Sequence, residues 1–181
     1  KRQLEYRADA ARSLCQKLLA SQWIQAYQRF GVYLSYGSEI SLSPLIEQLW
    51  HQSKNCAVPM PHPFKAHSLW FLPYDQQTSL MSGRFDIAHP KPIPNQVIAP
   101  WELDVVFVPL IAIDYQLNRI GQGGGFYDGT FQFKSEYTHP KLVGCGYQCQ
   151  QVPMIEPNPW DVSLDDCLLV APPSASSCPS I

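Results

Sequence analysis

Residues 103–128 read LDVVFVPLIAIDYQLNRIGQGGGFYD. The first part, 103–109, is an apolar run broken only by Asp104. Such a run suits a strand covered on both faces, as in a parallel sheet with helices on either side. It closes at Pro109, a glycine-rich turn follows at 121–125, and a helix is predicted from Phe126 onward. Ligands of open α/β sheets bind outside the carboxyl ends of such strands. Gly121, Gly123, Gly124 and Gly125 remove side chains there, so that backbone amides can approach an anion closely. The helix start would add its free amides and dipole. Arg119 offers a planar fork for phosphate or carboxylate. Asp128 is a hard oxygen ligand of the type magnesium prefers, and Tyr127 could stack on an aromatic ligand. No Gly-Lys-Ser or Gly-Lys-Thr follows, so this is not a P-loop; it does not follow the first strand either, as a dinucleotide fingerprint would. The same glycines also suit a plain turn with a helix cap.

Outward from this stretch the periodicity alternates. Residues 2–27 predict a helix, with Leu4, Ala8, Ala11, Cys15, Leu18 and Leu19 at 3.6-residue spacing. Residues 29–35 predict a strand. Residues 41–53 predict a second helix, with Ser41 or Ser43 as its cap and Pro44 in its first turn. Strands are predicted at 55–60, 68–73, 142–147 and 166–170. Four prolines between 90 and 100 mark 83–101 as an irregular loop or lid. Strands alternating with helices give an α/β class with an open, largely parallel sheet flanked by helices. The 181 residues suit one domain over 1–171, followed by a loose Pro/Ser-rich tail at 172–181.

Composition removes several classes of function. Charged residues are 15% and hydrophobic ones 45%, which is globular and not disordered. A net charge of −2 supplies no basic field, so nucleic acid is not an expected partner and any anionic ligand must be held by local donors. No apolar run reaches the roughly 18 residues that a membrane span needs, and no signal peptide is visible. A cytoplasmic monomer is the default expectation. The 6 cysteines lack zinc spacing, and Cys56 and Cys145 lie in predicted core strands, so they read as reduced, buried thiols. The 5 histidines are scattered, and none is assigned a role.

The string from Arg119 to Asp128 resembles the RLGxGxGYYD signature of the 5-formyltetrahydrofolate cyclo-ligase family. Other segments fall in that family's order: YLSYGSEI from Tyr33 to Ile40, DVVFVPLIAID from Asp104 to Asp114, GCGYQCQQVP from Gly144 to Pro153, and Pro159-Trp160-Asp161. The likeness runs from about residue 12 to residue 170. It implies a fold resembling the ribose-5-phosphate isomerase and CoA-transferase type. It implies conversion of 5-formyltetrahydrofolate to 5,10-methenyltetrahydrofolate with ATP split to ADP and phosphate, with ATP and Mg2+ as cofactors and a reduced folate as substrate. Residue by residue, it implies that Arg119 and Tyr127 are catalytic. ATP would be bound by Arg119, Gly121, Gln122, Gly123, Gly124, Gly125, Phe126 and Tyr127. The folate would meet Tyr33, Leu34, Glu39, Gln122, Gly123, Gly124, Gly125 and Phe126. Asp128 and Asp161 would hold the metal. Trp70, Phe71 and the 83–101 loop could cover the pterin or its aminobenzoyl arm, although Trp70 and Phe71 equally suit the core.

The bland alternatives are specific. Glu39 could cap the helix starting near Ser43, Asp161 could cap a turn, and Asp128 could be a helix-start residue favoured by the dipole. Tyr33 and Leu34 alternate along a strand, so one of them belongs to the core. The chain also departs from the family pattern. Ile113 stands where Phe is usual, His89 where an acid is usual, and Gly129 where bacterial relatives often have Arg; Gln122 and Gly124 are uncharged where some relatives are basic. Counting back from Tyr33, Lys1 falls beyond the family's basic amino-terminal helix, which implies roughly twenty residues before Lys1. Two other readings stay open: a folate- or nucleotide-binding relative without turnover, and, less favoured for want of a catalytic base beyond Glu39, a phosphosugar isomerase or transferase.

Overall fold

A computed structural model describes residues 2–82 and 88–172. The chain opens with helix α1 (Arg2–Leu19), short helix α2 (Gln22–Ala26) and strand β1 (Arg29–Gly31). Helix α3 (Ser43–His51) leads to β2 (Asn55–Pro61), β3 (Leu69–Pro73), β4 (Leu80–Ser82) and β5 (Ala88–Pro90). Next come β6 (Val105–Pro109), β7 (Ala112–Ile113), β8 (Arg119–Ile120), helix α4 (Phe126–Phe131), β9 (Lys141–Tyr147) and β10 (Asp166–Val170). The main sheet has 6 strands in the order β10-β9-β6-β1-β2-β3. All neighbours are parallel except β2 and β3, which are antiparallel. This is the open, largely parallel α/β sheet expected.

The pleat divides each strand between two cores. Val105 and Phe107 of β6 face α1, α2 and α3, in one cluster with Leu14, Leu18, Ile24, Leu45 and Leu49. Val106 and Val108 face the other way and pack with Phe71 and with Phe131 of α4. Phe30 of β1 stacks on Phe107 at a centroid distance of 6.1 Å, and both rings are fully buried. Burial of each is worth roughly 1.5–3 kcal/mol.

Three local differences from the sequence expectation have clear causes. The predicted 2–27 helix breaks at Ser21, whose hydroxyl donates to Leu18 O at 2.6 Å and so competes with the helical ladder. The break turns Trp23 and Ile24 into the core, and Trp23 Nε1 donates to Asp166 Oδ2 of edge strand β10 at 2.7 Å. The predicted 29–35 strand stops at Gly31; the backbone beyond Val32 leaves the sheet so that the Tyr33 hydroxyl can donate to Ile40 O at 2.9 Å. Within the expected irregular 83–101 stretch, β5 pairs antiparallel with β4, and Ile98 bridges Phe71 of β3. Residues 83–87, Lys1 and most of the expected tail lie outside the described residues. Cys15, Cys56, Cys145 and Cys167 are free thiols as expected, while Cys149 is disulfide-bonded, against that expectation.

Strand order places a topological switch point between β1 and β6. From β1 the chain proceeds to β2 and β3 on one side; from β6 it proceeds to β9 and β10 on the other. The loops leaving the carboxyl ends of β1 and β6 therefore diverge and leave a crevice between them.

Candidate active site

A cleft of about 1140 Å³ occupies that crevice. Tyr33, Leu34 and Glu39 line it from the β1 side, Pro109 and Leu110 from the β6 side, and the whole of Arg119 to Asp128 forms a third wall. Asp161 reaches it from the segment before β10. All of the residues expected to bind ATP, folate or metal thus border one space, whereas Trp70 and Phe71, expected to cover the pterin, do not. A second hollow of about 840 Å³ shares Leu69, Gly129 and Gln132 with it. Trp70 borders that second hollow, and Phe71 is fully buried in the core.

The glycine-rich wall is held from below. Buried Asp114, only 2% exposed, accepts from the backbone amides of Gln116, Asn118 and Ile155 and from Asn118 Nδ2, all between 2.9 and 3.0 Å. Desolvation opposes its ionisation, but these bonds outweigh it and hold the carboxyl below the usual carboxylate range. This network closes the β7–β8 hairpin and sets the direction in which Arg119 leaves β8. Buried Gln150 supports the neighbouring loop, accepting from Tyr147 N at 2.7 Å and donating to Leu110 O at 2.7 Å. Gly123 and Gly125 take φ of 86° and 61°, a left-handed backbone that other residues adopt only with strain. Gly125 caps α4. Only six residues long, α4 contributes less of a dipole than the sequence suggested.

His67 fastens this loop from the β3 side. Its Nδ1 lies 2.8 Å from Gly124 O, and a methyl group added at Gly129 would fall on its carbonyl oxygen. Leu69 N donates to Thr130 Oγ1 at 2.8 Å, so the start of β3 and helix α4 form one rigid edge of the cleft. Sequence reasoning gave His67 no role; its positive φ of 51° and its contacts depend on residues almost sixty positions away, and no local pattern announces them.

The charged groups are paired with one another. Arg119 Nη2 lies 3.2 Å from Asp128 Oδ2, and its side chain is only 5% exposed. Its guanidinium also sits 5.5 Å from the centroid of the Tyr127 ring. Burial, with the Glu39 charge adding to it and Arg119 opposing, pushes the Tyr127 phenol well above its usual value. Tyr127 is therefore a neutral hydroxyl that can donate a hydrogen bond, not a base. Asp128 Oδ1 accepts from Val162 N at 3.0 Å, which brings the neighbouring Asp161 to the same corner. Asp161 Oδ2 accepts from Asn158 N at 2.8 Å, so the turn-capping alternative holds for Asp161 as geometry while its carboxylate still borders the cleft. Two carboxylates fit a magnesium ion, which takes one or two protein oxygens and completes its shell with phosphate oxygens and water. No group of three or more potential ligands occurs among the described residues, so a metal here would draw most of its shell from nucleotide and water.

Glu39 sits on the opposite wall. Its carboxylate accepts from Tyr36 N at 2.9 Å and from Gln122 Nε2 at 2.9 Å. Desolvation raises its pKa, and these two bonds oppose the rise. Gln122 thereby joins the glycine-rich turn to the turn after β1. Tyr33 is 3% exposed, its hydroxyl engaged by Ile40, while Leu34 is half-buried at the cleft; of the two, Tyr33 is the core residue.

Comparisons with known proteins point in one direction. The family described as the 5-formyltetrahydrofolate cyclo-ligase family matches residues 1–170. A 5-formyltetrahydrofolate cyclo-ligase of Haemophilus influenzae is 43% identical over 143 residues, 78% of this chain and 75% of that protein. One of Escherichia coli K12 is 42% identical over 134 residues, 74% of this chain and 72% of that protein. Among solved structures, the NMR structure of Aquifex aeolicus 5,10-methenyltetrahydrofolate synthetase has a TM-score of 0.73 at 21% identity, covering 90% of this chain and 79% of that one. A 5,10-methenyltetrahydrofolate synthetase from Mycoplasma pneumoniae has a TM-score of 0.66 at 20% identity, covering 89% and 85%. At these identities the structural likeness speaks to the fold.

Proposed function

The chain belongs to the 5-formyltetrahydrofolate cyclo-ligase family, and we propose that the cleft between the β1 and β6 loops is where it cyclises 5-formyltetrahydrofolate to 5,10-methenyltetrahydrofolate at the expense of ATP. The observation that carries the site assignment is the 2.9 Å hydrogen bond from Gln122 to Glu39. It brings an anion-binding turn and a pterin-binding carboxylate within one side chain's reach. A nucleotide on the first and a folate on the second would meet.

In this reading the formyl oxygen attacks the γ-phosphorus and the bond to ADP breaks. The folate N10 then adds to the activated formyl carbon, phosphate departs with its oxygen, and N10 loses its proton. The protein's part is positioning and charge neutralisation. Arg119 exchanges its Asp128 partner for phosphate oxygens, which its planar fork fits. Amides of Gly121, Gln122, Gly123, Gly124 and Gly125 face the phosphates, and Phe126 packs at the junction of the two ligands. Neutral Tyr127 donates to the oxygen that gains charge. Glu39 accepts from the donor-rich edge of the pterin beside Leu34. Asp128 and Asp161 would hold Mg2+, which supplies neutralisation of phosphate charge. Among the described residues no helix is long and apolar enough to cross a membrane. The reading places the reaction in the cytoplasm.

The test is the appearance of 5,10-methenyltetrahydrofolate from 5-formyltetrahydrofolate with and without magnesium-ATP. Product only with magnesium-ATP is the expected outcome. Folate binding without product under any condition would replace the enzyme reading by that of a binding protein.

A further inference from the structure

We propose that Arg7, on helix α1, is a positioning residue for folate recognition, acting through the backbone of the turn that carries Glu39. The inference rests on the assignment of Glu39 to the pterin. Arg7 Nη2 donates to Gly37 O at 2.6 Å and to Glu39 O at 3.1 Å. The charge of the same guanidinium also acts on the phenol of buried Tyr147, at the carboxyl end of β9, and opposes the rise in its pKa that burial causes. One half-buried side chain therefore ties α1 to two carbonyls of the turn.

The turn needs such a tether. Apart from the bond that Gln122 makes to the carboxylate, its other bonds are short-range: Glu39 N donates to Tyr36 O at 3.1 Å, and Tyr36 N to Glu39 Oε2 at 2.9 Å. Residues 35–38 are exposed, and Gly37 sits at a φ of 57°, so the turn includes its most adaptable residue. Among the described contacts, the groups that reach the 36–39 turn from distant sequence are Arg7 and Gln122. Gln122 must yield its place when a pterin takes over Glu39 Oε1, which leaves Arg7 to hold the turn in the bound state. A planar guanidinium can bridge two carbonyls two residues apart; an ammonium at this position presents a single point charge on a mobile stem. A carboxylate that pairs with adjacent donors of a pterin tolerates little tilt, and losing a hydrogen bond to a charged group costs about 10- to 100-fold in affinity.

Calorimetric titration with 5-formyltetrahydrofolate and, separately, with magnesium-ATP tests the assignment on the full chain. Arg7→Ala is expected to weaken folate binding by about 10- to 100-fold, to leave ATP affinity within about twofold, and to be partly rescued in Arg7→Lys. Glu39→Gln serves as the reference for the pterin assignment. Weak folate binding by Glu39→Gln together with normal binding by Arg7→Ala would overturn the role of Arg7 and leave the pterin site standing. Unchanged folate binding by Glu39→Gln would remove the pterin site itself, and the Arg7 proposal with it. Equal loss of both ligands in Arg7→Ala, accompanied by a lower melting temperature, would reduce Arg7 to a structural contact and also overturn the proposal.

Discussion

Arg119 and Asp128 form an ion pair in the free protein and have different partners in the proposed complex, one taking phosphate and the other magnesium. Their mutual contact keeps a 5%-exposed guanidinium from being an unpaired buried charge, which would be costly. The pair also keeps both side chains at the mouth of the glycine-rich turn. Asp128→Asn retains an acceptor for Val162 N but loses the charge that magnesium needs. We expect it to lower turnover by about 100-fold or more. A thermal-shift comparison separates this from misfolding. Magnesium-ATP is expected to raise the melting temperature of the unaltered protein and to leave that of Asp128→Asn almost unmoved, while the variant still melts cooperatively. An undiminished magnesium-ATP shift in the variant would take the metal away from Asp128.

At the scale of elements, the edge built from β3 and α4 decides how rigid the cleft is. Gly129 permits α4 to lie directly against the His67 carbonyl, so Gly129→Ala forces the two apart. Overpacking of this kind costs about 1–3 kcal/mol, readable as a fall in the urea midpoint with unchanged slope. The sequence disclosed the pieces of this edge without their contact. The strand at 103–109 and the turn at 121–125, with the helix expected after it, were legible because they have local signals: a continuous apolar run and clustered glycines. The break at Ser21, the β4–β5 pair, the His67 fastening and the Gln150 staple were not. Each is decided by a partner distant in sequence or by a side chain competing with the backbone ladder, and periodicity contains neither. Site residues were legible chiefly through collinear resemblance; physical reading of the glycines alone left a plain turn open.

For the whole molecule, two carboxylates tie the sheet to its supports and set its tolerance of acid. For Asp104 and Asp114 alike, desolvation opposes ionisation but hydrogen bonds prevail and lower the pKa below the ordinary value of 3.8. Asp104 is held chiefly by the Arg29 side chain, 2.7 Å away. A carboxylate with a depressed folded pKa stabilises fully above its unfolded value, and the contribution disappears as pH falls through the folded one. Chemical denaturation at a series of pH values should therefore show constant contributions from both groups above about pH 5 and a progressive loss below about pH 4. Asp114→Asn flattens part of that acid limb. An identical limb in the variant would show that Asp114 does not contribute to it. At the same scale, the bond from Gln122 to Glu39 joins the loop side of β1 to the loop side of β6 across the switch point. In the proposed complex a pterin must dislodge that amide, and a nucleotide that draws the glycine-rich turn inward moves the same amide. Each ligand then alters the free energy at which the other binds, by an equal amount in both directions. In that complex the affinity for ATP would be no fixed property of the molecule but a function of how much folate surrounds it.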